Sequence, residues 1–445
     1  MGNAVSGCPW KIRLIEEELK MQQTHLPAAS TWSPYQALRE ASRCLYCHDA
    51  PCVQGCPAEI KIPDFIHKIK TGNLRGAARV IYESNAFGAV CADVCPQAEL
   101  CRKGCTQANL DEAINIGRLQ KFALENAGLE STPLPPNGKK VAVIGAGPAG
   151  LSGAYALMQK GYEAVVFEAG PDAGGTALWG IPDYRLEYQI LERELSRIKN
   201  VVRDIRYNVA VSGDVPVETL LAEYDAVLVS CGLGSTSALE VPGAGLSGVY
   251  PAEKFLAAYN LKMKLGTGSQ IPVGAKVVVI GGGNTAMDAA CIAKRAGARQ
   301  VTVAYRRSLA EMPAWQEEYR FAVAQGIEFR WLTAPVAVLG TDQVTGIKLI
   351  SMELGPEDET GRKRPVAVPG SEFDLAADMV IVATGQNQHP LLKKLAGLPK
   401  VFLAGDAANG GKTVVQAVAE GQKAAIAIDH FIKDALKQSG GASND

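Results

Sequence analysis

The sequence carries no excess of charge of either sign: 45 Lys and Arg face 46 Asp and Glu, for a formal net charge of −1. That balance leaves no broad electrostatic footprint for nucleic acid or an anionic membrane, so any partner must be recognised locally. Long apolar runs are equally scarce. The least charged stretch, Val141 to Gln159, approaches bilayer length, but Gly145, Gly147, Pro148, Gly150 and Gly153 divide it into strand, turn and helix. Met1 to Pro9 lacks a basic region followed by an apolar core, so no secretory leader is expected. Strand-like runs are missing from residues 1–130, where Tyr35 to Arg43, Ile62 to Lys70 and Ile114 to Glu125 read as helices.

What is present is a composition of 47% hydrophobic and 20% charged residues over 445 positions. This is ordinary for a soluble chain with room for about three domains. Of 11 cysteines, eight lie between Cys44 and Cys105, while Cys8, Cys231 and Cys291 are scattered. Such density suits disulfides in small secreted domains; without a leader it points to metal and to the cytoplasm. The runs are Cys44-x2-Cys47-x4-Cys52-x3-Cys56-Pro57 and Cys91-x3-Cys95-Pro96-x4-Cys101-x3-Cys105. Thiolates this close can converge on an iron–sulfur core, and a proline after a ligating cysteine turns the chain away. Two sequential quartets would make two clusters. Structural zinc or buried free thiols are the alternatives, though four cysteines in so short a run crowd a tetrahedral zinc site. His48, inside the first run, suits a polar neighbour of the site better than a ligand.

Beyond a proline-bearing linker, Ser131 to Lys140, the chain repeats itself. The run from Lys139 through Gly145, Gly147 and Gly150 is matched by Ala275 through Gly281, Gly283 and Ala286. Each is followed by a helical pattern and a second β-rich run, Ala164 to Phe167 and Gln300 to Ala304, so two dinucleotide-binding βαβ units are expected. Asp378 to Gly385 resembles Tyr224 to Gly232, as though the first unit resumes after the second is inserted. The expected architecture is an α-helical N-terminal domain over 1–130 and two α/β Rossmann-like domains. The first covers 136–262 and 376–445, and the second, inserted, covers 263–375.

In the first unit Gly145 permits the tight turn, Gly147 lets backbone amides approach a pyrophosphate, and Gly150 lets helix and strand pack closely. Pro148 and Ala149 open the helix. Glu168, ending the next strand, can hold both ribose hydroxyls and repel a 2′-phosphate, which suits FAD or NAD. In the second unit Tyr305-Arg306-Arg307 occupies the equivalent place. A guanidinium pair there can bind a 2′-phosphate, which favours NADPH; solvated surface arginines with NADH are the competing reading. Near the C-terminus, Gly405 and Asp406 follow a β-rich run ahead of Thr413 and a helical pattern. A phosphate at that helix start and a ribityl hydroxyl on Asp406 are expected, against a plain helix cap.

With these motifs assembled, the chain resembles the family of glutamate synthase small subunits and the N-terminal half of dihydropyrimidine dehydrogenase. Within it, the likeness is greatest to stand-alone NAD(P)H-oxidising subunits of bacterial dihydropyrimidine dehydrogenase. The phrases carrying this are Ser42 to Cys52, Ala89 to Pro96, Ile114 to Gln120, Gly180 to Leu186 and Gly283 to Asp288. The resemblance implies two [4Fe-4S] clusters, one held by Cys44, Cys47, Cys52 and Cys105, the other by Cys56, Cys95, Cys101 and the Gln120 side chain, with Cys91 spare. Gln120 resembles the dihydropyrimidine dehydrogenase branch, where glutamate synthase small subunits tend to carry Glu. The resemblance further places Gly175, Arg185 and the Gly405 to Thr413 loop around FAD. Around the nicotinamide nucleotide it places Asn284, Thr285, Arg306, Arg307 and Gly385; because the resembled subunits are associated with NADH despite a similar arginine pair, it weakens the reading of NADPH and leaves the two donors open. Hydride transfer needs stacking and exclusion of water, so no acid–base residue is nominated. A pyrimidine- or amide-processing site would need a further domain. The resemblance therefore implies a hetero-oligomer with an FMN-containing barrel subunit that reduces uracil or thymine; a glutamate synthase small subunit or ferredoxin-linked module is the alternative.

Overall fold

A computed structural model of the chain describes residues 32–128, 134–268, 271–358 and 361–440. Cys8 and the linker residues 131–133 lie outside these, and Lys140 already belongs to the first strand. Residues 32–128 form helices and no strand. Helix Pro34–Ser42 starts at Ser33, whose hydroxyl accepts from the Gln36 amide at 3.3 Å while the Gln36 side chain accepts from the Ser33 amide at 2.9 Å. Ile62–Lys70, Leu74–Ser84, Gly88–Val94 and Ile116–Asn126 follow. Their apolar faces close on Phe65, Ile66, Ile81, Phe87, Ile116 and Leu119. A buried ion pair, Lys121 Nζ to Asp93 Oδ1 at 2.9 Å, ties Gly88–Val94 to Ile116–Asn126. Burial lifts the Asp93 carboxyl to about 6 even beside the ammonium.

The described chain forms two compact units, one comprising described residues within 32–235 and 387–440, the other those within 236–386. The helical segment is thus part of the first unit, not a separate body. Its Tyr82 hydroxyl donates to Glu194 of helix Tyr188–Lys199 at 2.7 Å, and Arg197 of that helix lies over the Tyr82 ring at 3.7 Å. The first unit's parallel sheet runs in the order Val401–Leu403, Ala226–Val229, Lys140–Ile144, Glu163–Phe167, Asp204–Arg206. Connections leave Lys140–Ile144 toward both sides, and such a reversal opens a crevice at the strands' carboxyl ends. Val227 and Val229 face Val217, Leu220 and Leu395, while Leu228 faces helix Pro148–Met158. That helix meets the long C-terminal helix Val414–Gly440 through glycine: a Cβ on Gly421 would lie 2.1 Å from the Ala149 carbonyl oxygen.

The second unit has its own parallel sheet, in the order Val249–Pro251, Met379–Val382, Lys276–Ile280, Gln300–Ala304, Glu328–Arg330. An antiparallel sheet of Thr333–Gly340, Val344–Glu357, Lys363–Ala367 and Phe373–Ala376 accompanies it. Two expectations are corrected. Met379–Val382 does not resume the first domain; it pairs with Lys276–Ile280 as Ala226–Val229 pairs with Lys140–Ile144. Val249–Pro251 and the helix Ala252–Leu265 also belong to the second unit, which spans Thr236–Gln386 where residues 263–375 were expected. A strand buried on both faces has the same apolar signature in either sheet, so the likeness between the two runs is one more turn of the internal repeat.

Candidate functional site

The cysteines gather crosswise. The Cys44 thiol lies within electrostatic reach of Cys47 and Cys105, and Cys52 within reach of Cys44 and Cys105; Cys95 lies within reach of Cys56, Cys91 and Cys101, and Cys56 within reach of Cys91. The groups adjoin where Cys101 feels Cys52. Gly55 and Gly104 allow the exchange. A Cβ at Gly55 would fall 2.8 Å from the Leu100 carbonyl oxygen, and one at Gly104 would fall 2.6 Å from that of Pro51. The two runs therefore interlock through bare backbone, and each hands its last cysteine to the other. The sequential quartets read from spacing are overturned, because nearness along the chain did not register this crossing.

Cys56, Cys91, Cys95 and Cys101 line one pocket with Asn85, Gln97, Gln120 and Val415. Gln120 is buried, and its Nε2 donates to the Gly88 carbonyl at 2.6 Å, which leaves Oε1 as the atom for a metal. Cys91, implied to be spare, sits in the same pocket and shares a hydrogen bond with Cys95. Burial and the neighbouring thiols raise Cys52 to about 11 and Cys101 to about 12, and burial lifts Cys44 and Cys56 as well. A cationic metal core reverses this, since thiolate ligation releases the protons. Among the described residues no three His, Cys, Asp or Glu converge on a single-ion position. Thiols arranged around a space fit a polynuclear iron–sulfur core. His48 is exposed.

At the carboxyl end of Lys140–Ile144, Gly145 has φ 100°, and its Cβ would lie 2.6 Å from the Ser230 carbonyl oxygen, so only glycine fits. Gly147 caps helix Pro148–Met158, whose first turn presents the Ala149 and Gly150 amides without intrahelical partners, Pro148 having no N–H to leave unpaired. Gly150 packs onto the Gly145 carbonyl, and Gly175, capping Thr176–Trp179, backs onto Gly147. Glu168 Oε2 accepts from the Ala146 amide and Oε1 from the Gly170 amide, each at 2.7 Å. The carboxylate shapes the loop and keeps lone pairs for ribose hydroxyls. Arg185 lies in a turn, its amide donating to the Pro182 carbonyl at 3.1 Å.

The Gly405 loop reaches the same place, for a Cβ there would meet that of Ala149 at 2.7 Å. Asp406 Oδ1 accepts from the Lys412 amide at 3.2 Å, and burial raises its carboxyl above the usual range. Thr413 is engaged at the start of the long helix, its hydroxyl donating to Gln416 Oε1 at 2.7 Å and accepting from the Gln416 amide at 3.3 Å. Two residues on, Val415 lines the cysteine pocket. One helix start thus joins the dinucleotide loops to the thiols. Glycine loops with free amides, a ribose-facing carboxylate and a second loop over them fit FAD.

In the second unit Gly281 has φ 144°, and its Cβ would lie 2.3 Å from the Ala383 carbonyl oxygen. Gly283 caps helix Asn284–Arg295 with open space before it. Asn284 Oδ1 accepts from the Trp315 amide at 2.9 Å, Thr285 is exposed in the first turn, and Ala286 is buried. Gly385, with φ 108°, accepts from the Ser237 amide at 2.9 Å. These loops fit a nicotinamide dinucleotide. The arginine pair does not form. Arg307 is buried, with Nε donating to the Lys363 carbonyl and an NH2 to Asp358, each at 2.8 Å, and only Arg306 is exposed. A hairpin that sequence reasoning did not foresee supplies both partners. Asn85 and Glu194, both buried, were also missed; a single polar residue among apolar neighbours carries no sequence signal of burial.

Residues 21–131 match the family model described as dihydropyrimidine dehydrogenase domain II, 4Fe-4S cluster. Residues 139–421 match that of pyridine nucleotide-disulphide oxidoreductases. The NADP(+)-dependent formate dehydrogenase subunit beta of Moorella thermoacetica is 38% identical over 433 residues, covering 86% of this chain; this chain spans only 60% of that protein's length. The glutamate synthase [NADPH] small chain of Halomonas elongata is 36% identical, with 90% of this chain and 92% of that one covered. The NAD-dependent dihydropyrimidine dehydrogenase subunit PreT of Escherichia coli O157:H7 is 39% identical, with 93% and 99% covered. Among solved structures, FprA of Mycobacterium tuberculosis in complex with NADPH has a TM-score of 0.59 at 19% identity, covering 69% of this chain and 86% of its own, a likeness of fold. No helix among the described residues is long and apolar enough to cross a membrane.

Proposed function

Since this chain belongs to the pyridine nucleotide-disulphide oxidoreductase family and carries a dihydropyrimidine dehydrogenase domain II ahead of that fold, we propose that it is the electron-input subunit of a pyrimidine-reducing complex. It is an NAD(P)H-dependent flavin and iron–sulfur oxidoreductase. Bound FAD supplies the exchange between a two-electron donor and one-electron carriers, and [4Fe-4S] clusters carry the single electrons.

The chain's own residues bind, orient and shield. The amides after Gly147 and the loop at Gly405 hold the FAD phosphates and ribityl chain, and Glu168 holds the ribose. Gly281, Gly283, Asn284 and Gly385 hold the nicotinamide nucleotide. Cys44, Cys47, Cys52 and Cys105 hold one cluster; Cys56, Cys95, Cys101 and Gln120 hold the other, beside the helix start that also meets the flavin loops. With Arg307 tied to Asp358, one guanidinium remains at the ribose edge, and this supports NADH as donor.

The observation that carries the pyrimidine reading is Gln120, whose amide is locked by the Gly88 carbonyl at the wall of the cysteine pocket. The receiving partner is an FMN-containing barrel subunit that reduces uracil or thymine, in the cytoplasm. A glutamate synthase small subunit or ferredoxin-linked module is the second reading, favoured by the relative of that name. Co-purification with the product of the adjacent gene, followed by anaerobic assay, separates them. Uracil-dependent NADH oxidation is the expected result, and turnover only with glutamine plus 2-oxoglutarate would overturn it.

A further inference from the structure

Asn85 is inaccessible to solvent and follows helix Leu74–Ser84 as its C-cap, its backbone amide donating to the Ile81 carbonyl at 2.8 Å. Its side-chain Oδ1 accepts from the Phe87 amide at 2.9 Å, so the amide cannot be turned over without setting its NH2 against an N–H. The other end, Nδ2, is buried without a partner, and Asn85 lines the pocket of Cys56, Cys95 and Cys101. A buried donor left unpaired is uncommon in native folds and calls for an acceptor. The pocket's other side-chain amides are already engaged: Gln97 Nε2 donates to the Ala92 carbonyl at 2.9 Å and Gln120 Nε2 to that of Gly88 at 2.6 Å. Among the pocket's side-chain amides, Asn85 Nδ2 is thus the N–H group left to donate.

We infer that Asn85 donates an N–H···S hydrogen bond from its side-chain amide to a sulfur of the cluster held by Cys56, Cys95, Cys101 and Gln120, and so raises that cluster's reduction potential. The inference rests on the reading of this pocket given above. A donor aimed at sulfur stabilises the reduced, more negative state, and hydrogen bonds to the sulfurs are among the terms that set iron–sulfur potentials. Asn85 is a positioning and tuning residue; it moves no electron itself.

The test is a potentiometric titration followed by electron paramagnetic resonance on the full-length holoprotein and on Asn85→Leu, which keeps size and removes the donor. One of the two cluster signals should become harder to reduce by about tenfold in its equilibrium, about 59 mV for one electron, with iron content and the second signal unchanged. Wild-type protein carrying ¹⁵N-labelled asparagine should also show an asparagine nitrogen coupled to that cluster. This second measurement decides the matter if Asn85→Leu fails to load iron. Unmoved potentials in a fully loaded variant, or no such coupling in the wild type, would overturn the inference. A wild-type protein with only one cluster signal would instead overturn the reading of the pocket, and the inference with it.

Discussion

Arg307 shows how far a side chain's role depends on what packs against it. Its guanidinium is 6% exposed and bound to Asp358 and the Lys363 carbonyl. Arg307→Ala should therefore lower unfolding free energy by about 2 kcal/mol, the scale of a hydrogen bond to a charged group, seen in a denaturant titration, and leave the NADH to NADPH ratio of kcat/KM unchanged. Arg306→Ala should leave stability within about 0.5 kcal/mol and reduce use of NADPH more than of NADH; equal losses would contradict its place at the ribose edge. Glu194 makes a pH-dependent prediction. Burial raises its carboxyl to about 7, against the opposing pull of Arg197 and the Tyr82 hydroxyl. The folded value lies above the unfolded one, so the stabilising contribution is full below about pH 4 and fades as pH rises through 7. Glu194→Gln should flatten the decline in denaturation midpoint between about pH 4 and 7; an unchanged slope would refute it. The glycine turn at Gly145 and Gly150 was legible in the sequence because residue type and spacing set it, whereas the crossed grouping of the cysteines was not legible from spacing. Asn85, Glu194 and the burial of Arg307 were not, because exposure is decided by elements distant in the chain.

Elements meet here through backbone more often than through side chains. The helices Pro148–Met158 and Val414–Gly440 touch where Gly421 faces the Ala149 carbonyl. Gly421→Val should push them apart and loosen the Gly405 loop, with flavin lost on gel filtration; retention of a full flavin band would show that the crossing does not govern the site. The two cysteine runs interlock in the same way at Gly55 and Gly104. Cys105→Ser should accordingly abolish the same paramagnetic signal as Cys52→Ser, and Cys56→Ser the same one as Cys101→Ser. The reverse pattern would restore the sequential quartets. Helices over residues 32–128 and both glycine turns could be read from pattern and spacing. The sheet to which Met379–Val382 belongs could not, because a doubly buried strand advertises apolarity and not its neighbour.

At the scale of the molecule, the thiol-bearing helices and the first dinucleotide sheet form one compact unit, and Val415 belongs both to the long helix beside the Gly405 loop and to the wall of the cysteine pocket. The dinucleotide loops thus have cysteine thiols close by within a single folded body, while Thr236–Gln386 supplies the second nucleotide fold. Metal analysis should find about eight iron atoms per chain, and zinc in their place would remove the relay. The central claim, that this chain turns a hydride donor into a source of single electrons, is tested most directly by mixing the anaerobic holoprotein with NADH and freezing it at intervals for optical and paramagnetic resonance spectra. The account predicts bleaching of the flavin band followed by growth of a reduced iron–sulfur signal. Bleaching that never produces that signal, in protein carrying its full iron, would contradict it.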